Sequence, residues 1–425
     1  MTAAVFVFSL LGAMALGMPI AFALIVCGVC LMLLGGQFDT TILSQKIIEG
    51  ADSFPLLAIP FFMLAGELMN AGGISKRIVN FALAWVGHIR GGLGIVAIVA
   101  AVILAAISGS AAADAAALAA MLIPMMRKAG YDIPRAAGLI SAGGVIAPVL
   151  PPSIGMIMFG VIANVSIGKL FMAAIVPGLL MGAALLIAWL VVARKDNVAV
   201  LPRMPIKQRF KVLFDSLLAL VMPIGIVGGM KFGIFTPTEA AVAAAVYAFV
   251  VGKFIYGELR WKQIYPLLVS AAKTTAVVVF LIATALVSGW LITASEIPDQ
   301  VSAMLAPFVD SPTLLMFIMM GLVVVVGTAL DFTPTLLILT PVLMPIVKEA
   351  GIDPVYFGVL FVMNNAIGLI TPPVGIVLNV VCGTAKLKMN ELMRGLWPFL
   401  FAELIVLLLL VLFPALVLVP LKWLT

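Results

Sequence analysis

AGYDIPRAAGLISAGGVIAPVLPPSIGMIMFG, residues 129–160, has a counterpart at 350–381, AGIDPVYFGVLFVMNNAIGLITPPVGIVLNVV. Each copy opens on Ala-Gly-x-Asp, runs through an apolar stretch and reaches a double proline closely followed by glycine: Pro151-Pro152 in the first, Pro372-Pro373 in the second. Two consecutive prolines remove two backbone donors and clash with the preceding turn, so each helix must break there. At membrane depth, unwound backbone persists only where it is buried in protein or lines a cavity. A matched pair of broken segments in two halves of a membrane chain points to a transporter's binding centre.

The composition requires the membrane. Of 425 residues, 64% are hydrophobic and only 10% charged, and the mean hydropathy is +1.29, which a soluble domain of this length could not bury. The N-terminus lacks a basic region and a small-residue cleavage site, so no removable signal peptide is expected. Lys and Arg lie between apolar segments, so the net charge of +6 reflects basic loops rather than a nucleic-acid surface. Three cysteines give no disulfide framework. Cys27 and Cys30 form a C-x-x-C inside an apolar helix without polar company, which reads as packing rather than redox chemistry.

Apolar stretches long enough to span, about 20 residues, recur along the chain. Residues 1–36 suit two helices hinged at Gly17-Met18-Pro19. A polar connector follows at 39–52, a span at 54–69 and a basic surface segment at 71–90. The stretches 91–107 and 111–126 are short for spans and flank Ser108-Gly109-Ser110; they read as a re-entrant hairpin, 91–128, with a polar tip. The broken helix, 134–164, and a span at 170–192 complete a first unit, 1–193. The charged stretch 194–211 is a linker. In the second unit, 212–425, spans are expected at 213–229, 239–254 and 265–292. A polar connector, a second hairpin at 313–348 around the tip 327–333, a broken helix at 354–384 and a last span at 397–418 follow.

Each unit thus crosses the membrane five times, and an odd count inverts the second relative to the first. Charge agrees. Lys76, Arg77, Arg90, Arg127, Lys128 and Arg135, against Asp132, surround the base of hairpin 1. Glu296, Asp299, Asp310, Glu349 and Asp353, against Lys348, surround that of hairpin 2. Basic residues favour the cytoplasmic side, so hairpin 1 opens inward and hairpin 2 outward. The expected fold is an all-α polytopic membrane protein of two inverted-topology repeats, each with a re-entrant hairpin and a broken helix.

The chemistry is expected where tips meet breaks. In the first half, Ser108, Gly109, Ser110 and Asp114 face the backbone oxygens of Gly144, Ala147, Pro148 and Pro152. In the second, Gly327, Thr328, Asp331 and Thr333 face Asn364, Asn365, Gly368 and Thr371. Hard oxygen ligands of this kind suit Na⁺, one ion per cluster. Half-helix N-termini near Ala111 and Ser153 turn partial positive charge toward the same centre, which attracts an anionic solute; Ser110, Ser153, Asn365 and Thr371 are the expected solute contacts. A lone Ser-Gly-Ser can be mere close packing and proline kinks occur without ligands; the duplication in matching order favours function. Asp114 and Asp331 are intramembrane carboxylates, which default to function, although Asp114 could instead brace its hairpin. Glu67, Glu239, Lys273 and Glu403 read as snorkelling or structurally paired, and His88 as a solvated surface residue.

Four stretches together carry a family resemblance: ADSFPLLAIPFFMLAGELMNAGG (51–73), SGSAAADAAAL (108–118), IAPVLPPSIGMIMFG (146–160) and ITPPVGIVLNV (370–380). With them the whole chain resembles the large membrane subunit of tripartite ATP-independent periplasmic (TRAP) transporters, the DctM-like family. The resemblance implies a Na⁺-coupled elevator of the ion-transporter type in the bacterial inner membrane, without an organic cofactor. It implies two partners, a small DctQ-like membrane subunit and a periplasmic DctP-like substrate-binding protein. It also implies an acidic solute, either a sugar acid such as a sialic or keto-sugar acid or a C4-dicarboxylate. The alternative is a stand-alone Na⁺-coupled divalent-anion symporter without a binding protein, whose usual Ser-Asn-Thr tips this chain lacks. A channel would need a continuous polar pore. One histidine, no H-E-x-x-H and no G-x-S-x-G leave no catalytic set for an enzyme.

Overall fold

The order of elements in the structure, a computed structural model describing residues 2–36, 38–194, 200–295, 300, 308, 311–372 and 375–424, runs through two matching series. Nineteen α-helices and no strand occur among the described residues. Seven of the helical stretches are long and apolar enough to cross a membrane.

The first series begins with α1 (Thr2–Ala15) and α2 (Ile20–Leu34), joined at Gly17, whose φ of +81° suits a residue without Cβ. Then come α3 (Thr40–Ala51), capped by the Asp39 carboxylate, α4 (Ala58–Ala71) and the amphipathic α5 (Ile74–Val86). The second series begins with α11 (Ile206–Lys231), α12 (Pro237–Val250) and α13 (Trp261–Ala294). These eight helices pack into one frame: α4 lies on α12, α5 on α11, and α13 on α2, α3 and α4. Gly72 and Gly252 let two backbones meet; a Cβ on Gly72 would lie 2.9 Å from the Gly252 Cα. The Ser270 hydroxyl donates to Glu67 at 3.0 Å, and Glu239 completes a capping box with Thr236, so both carboxylates are structural.

The rest of each series forms a second body. Hairpin 1 is α6 (Gly92–Ser108) with α7 (Ala111–Lys128), followed by the broken pair α8 (Ile133–Gly144) and α9 (Ile154–Ala163), then α10 (Ile167–Ala193). Hairpin 2 is α14 (Pro312–Ala329) with α15 (Phe332–Glu349). The broken pair α16 (Pro354–Gly368) and α17 (Ile376–Ala385) follows, then α18 (Met389–Leu412) and α19 (Ala415–Leu424). The Ala-Gly-x-Asp motif has the same physical reading in both copies. Gly130 and Gly351, at φ +81° and +67°, end one helix, and the Asp132 and Asp353 carboxylates accept from the first turn of the next. The broken helices also end alike, on Asn164 (φ 54°, ψ 48°) and Lys386 (φ 56°, ψ 48°).

Two contacts show the inversion. Arg127, at the base of hairpin 1, donates to the Ala385 carbonyl at 2.9 Å, where the second broken helix ends. Asn164, where the first broken helix ends, shares a cavity with Lys348 at the base of hairpin 2. Since α8 starts beside the base of hairpin 1 and α9 ends beside that of hairpin 2, the hairpins open on opposite faces. Glu296, Asp299 and Asp310 of the charge argument lie outside the described residues.

The spans 170–192 and 397–418 are almost wholly apolar, which by itself would suit a static frame. The packing corrects this: α10 and α18 lie on the hairpin body. The Trp189 indole of α10 is 1% exposed, donates to the Gly91 carbonyl at 2.8 Å and stacks on Tyr131 at 6.1 Å. Gly94 makes room for it, because a Cβ there would lie 2.0 Å from the ring. α18 crosses α8 at Gly138 and Gly395, where a Cβ on Gly395 would lie 2.3 Å from the Pro134 backbone. An apolar surface says that a helix is buried or meets lipid, not which body it joins.

Two side chains also differ from expectation. His88 is half-buried, its Nδ1 3.4 Å from the Arg209 guanidinium; burial, and then Arg209 and Arg203, push its pKa below the ordinary histidine value. Glu403 is fully buried, and neither carboxyl oxygen has a hydrogen-bond partner among the described residues, so it neither snorkels nor pairs.

Candidate functional site

Tip 1 is a three-residue turn. Gly109 sits at φ +63°, and Ser110, extended at φ −118°, is the N-cap position of α7 and donates its N–H to the Ser108 hydroxyl at 3.2 Å. The tip rests on the first break: a Cβ on Gly109 would lie 2.8 Å from the Pro152 carbonyl oxygen and 3.7 Å from the Ser153 Cα. Gly144, ending α8, meets the next turn of α7, and a Cβ there would lie 2.9 Å from both the Ala111 carbonyl oxygen and the Ala115 Cβ. Residues 136–153 are buried throughout. Asp114, 2% exposed, hydrogen-bonds the Ser108 hydroxyl and keeps Oδ2 without a partner.

The break does not leave all its carbonyls free. The Ser153 hydroxyl donates to Pro148 O and accepts from Met156 N–H at 3.1 Å, so it caps α9 and satisfies the break together. Gly144 O accepts from Ala147 N–H at 3.1 Å. The carbonyls of Ala147 and Pro152 accept no hydrogen bond among the described residues. Asp114 Oδ2 is likewise without a partner, and no hydrogen bond engages the Ser110 hydroxyl among the described residues. The unpartnered groups of this cluster are hard oxygens, the donor type that suits a hard cation.

The second cluster is built differently. The sequence places the tip of hairpin 2 at 327–333; α14 continues through Gly327 and Thr328, and only Leu330 and Asp331 separate it from α15, so the turn is shorter than that stretch. Asp331 is an N-cap, its Oδ1 accepting from Phe332 N–H at 2.7 Å. The available signal was Asp331 three residues before Pro334, a helix-start pattern inside the tip itself. Thr328 and Thr371 donate to Val325 O and Ile367 O at 2.7 and 2.9 Å, and Thr333 lies half-buried in the first turn of α15. Asn365 ties tip to break, donating to Phe332 O at 2.6 Å, and a Cβ on Gly368 would lie 3.4 Å from Gly327 O. Asn364 turns away to Met320 O at 2.7 Å, its Oδ1 without a partner. Pro373, half of the second double proline, lies outside the described residues.

Phe332, which sequence reasoning missed, joins the clusters. A Cβ on Gly155, in the first turn of α9, would lie 2.5 Å from the Phe332 ring. The N-termini of α7, α9 and α15 therefore converge, through Gly109 on Ser153 and Gly155 on Phe332. Each N-terminus carries partial positive charge, which favours an anion, although Ser153 already takes the Met156 N–H and Asp331 the Phe332 N–H.

Known proteins resemble the chain along its length. Residues 7–416 match the family described as "Tripartite ATP-independent periplasmic transporter, DctM component". The 2,3-diketo-L-gulonate TRAP transporter large permease protein YiaN of Escherichia coli is 52% identical over the full length of both chains. The sialic acid TRAP transporter large permease protein SiaM of Vibrio cholerae is 38% identical, covering 96% of each. The C4-dicarboxylate TRAP transporter large permease protein DctM of Pseudomonas aeruginosa is 36% identical, covering 90% of each. The crystal structure of the Alcanivorax borkumensis YdaH transporter, 15% identical, superposes with a TM-score of 0.66 over 88% of each chain, a likeness of fold. The chain belongs to the DctM family, the large permeases of TRAP transporters, and is a multi-pass protein of the inner membrane.

Proposed function

We propose that this permease takes up an acidic organic solute by Na⁺ coupling, receiving it from a periplasmic substrate-binding protein and working with a small membrane subunit. The two units, 1–193 and 212–425, act as inverted repeats about one centre. One observation carries the reading: each hairpin tip rests on the break of its own half, and Phe332 brings the two halves together. Asp114, Ala147 and Pro152, with Ser108 and Ser110, serve one Na⁺; Asp331 and Thr371, with Thr328 and Asn365, serve the other. The converging helix N-termini take the solute's carboxylate, beside Ser110 and Ser153. Binding Na⁺ first neutralises buried carboxylates that would otherwise repel the anion, so the two loads support each other. The hairpin body then moves past the frame as a unit.

The solute class we favour is a sugar acid, on the identity to the permease named for 2,3-diketo-L-gulonate. The test is uptake into proteoliposomes holding this chain and its small subunit. Binding proteins loaded with 2,3-diketo-L-gulonate, sialic acid or a C4-dicarboxylate are presented with and without an inward Na⁺ gradient. Accumulation that needs both the gradient and the keto-sugar-acid binding protein is expected. Uptake of free solute without any binding protein, or uptake indifferent to Na⁺, overturns the reading.

A further inference from the structure

A cavity of about 650 Å³ lies away from the tips and breaks, between the frame and the hairpin body. α3 and α13 supply one wall with Lys46, Trp290 and Thr293; the end of α9 and the base of hairpin 2 supply the other with Asn164, Pro341 and Lys348. The volume suits a small organic solute, since ligand sites run from about 300 to 1,000 Å³.

Its charges are unequal. Lys46 is 2.6 Å from Glu49, which also lines the cavity, and stands 5.9 Å from the centre of the Trp290 ring, so its charge is largely answered. Lys348 has no ion-pair partner among the described residues. The lining residues therefore carry an excess positive charge beside the polar side chains of Asn164 and Thr293, with apolar and aromatic groups making up the rest. That combination fits a carboxylate-bearing polyol: the ammonium group meets the acid, the amide and hydroxyl meet the hydroxyls, and the indole covers a ring or chain face.

We infer that this cavity is an outer vestibule that holds the acidic solute before it reaches the tips, with Lys348 as its anion-recognising group. The inference rests on the proposed function for its solute class and for its outward side, where hairpin 2 opens. Because the two walls belong to different bodies, movement of one past the other reshapes the vestibule, so the solute is held there only in part of the cycle.

Thr293, exposed on α13, gives a reporter that does not depend on transport. In the complex with its small subunit, with Cys27, Cys30 and Cys382 replaced by alanine, Thr293→Cys is labelled in proteoliposomes by anionic and cationic thiosulfonate reagents of matched size. The anionic reagent should react several-fold faster relative to free cysteine, Lys348→Gln should abolish that preference, and Lys348→Glu should reverse it. Free 2,3-diketo-L-gulonate or sialic acid at saturation should slow the labelling. Equal relative rates for the two reagents, or no protection by free solute, overturn the vestibule. Protection by the loaded binding protein alone does so too, and assigns the cavity to docking of that partner. Na⁺-driven uptake measured on the same proteoliposomes reports separately on the functional reading: labelling preference without uptake leaves the anion site standing and removes its transport role.

Discussion

The two tip-and-break clusters come from one duplicated motif and have diverged in how tightly they close. The first is packed more closely behind its tip: Ser108 and Ser110 are half-exposed, but Asp114 is 2% exposed, residues 136–153 are buried, and Gly109 and Gly144 meet backbone at distances that leave no room for a methyl group. The second is looser: Thr328, Asp331 and Thr371 are half-exposed, and a Cβ on Gly327 would meet nothing nearer than Asn365 Oδ1 at 3.8 Å. The carboxylates also hold different jobs. Asp114 reaches across its tip to Ser108, whereas Asp331 begins a helix. A buried cluster fixed by glycine contacts suits a permanent part of the carrier body, and a looser one suits the gate.

The largest expected effect separates the clusters directly. Gly144→Val forces hairpin 1 off its break, an overpacking cost of about 1–3 kcal/mol, and should lower thermal stability and abolish uptake. Gly327→Ala relieves a helical glycine, worth about 0.5–1 kcal/mol, and should fold at least as well as the parent. Equal losses in melting temperature for the two variants would erase the contrast between closed and loose.

Asp331 sharpens it next. Asp331→Asn keeps an acceptor for Phe332 N–H and removes the charge; Asp331→Ala removes both and loses a cap worth about 1 kcal/mol. The asparagine variant should keep its melting temperature and lose Na⁺-driven uptake by about tenfold or more, equivalent to ~1.4 kcal/mol or more. Normal Na⁺ dependence in the asparagine variant would reduce Asp331 to a cap.

Much of this was legible in the chain. The double prolines and Ala-Gly-x-Asp starts locate both broken helices because glycine caps, aspartate caps and missing backbone donors act within a few residues. The same local logic applies at Asp331-Phe332-Thr333-Pro334, where the Asp331 cap starts α15 inside the stretch 327–333. What the chain could not show is set by contacts between distant positions. Trp189 fitting into Gly94, or Gly138 against Gly395, binds apolar α10 and α18 to the hairpin body, and their apolar surfaces suit frame and body equally. Depth is hidden for the same reason: Glu403 has the sequence surroundings of a snorkelling residue and the structural ones of a core residue.

That residue gives a smaller effect. Unlike Asp114, Glu403 has no partner on either oxygen, so Glu403→Met should stabilise the purified protein by about 1–3 kcal/mol, the cost of a buried unsatisfied group. A lower melting temperature would reveal a partner that the contrast with Asp114 denies.

The smallest effect lies near the base of hairpin 1. Because the pKa of His88 is depressed in the fold, the unfolded chain binds more protons below the ordinary value of 6.5. Stability is therefore retained above that value and lost as pH falls through it. His88→Gln should flatten the acid side of a melting-temperature profile. An unchanged slope would mean that His88 meets no such environment.

Transport as proposed requires the hairpin body to move against the frame. Gly289 of α13 and Pro341 of α15 face each other across that boundary, with the Pro341 Cβ 3.4 Å from where a Cβ on Gly289 would stand, close to the disulfide range of about 3.5–4.5 Å. Gly289→Cys with Pro341→Cys, oxidised to completion in proteoliposomes with the partner proteins present, should stop uptake, and reduction should restore it. Fully cross-linked protein that transports at the reduced rate would contradict a moving body and require gating about a fixed site instead.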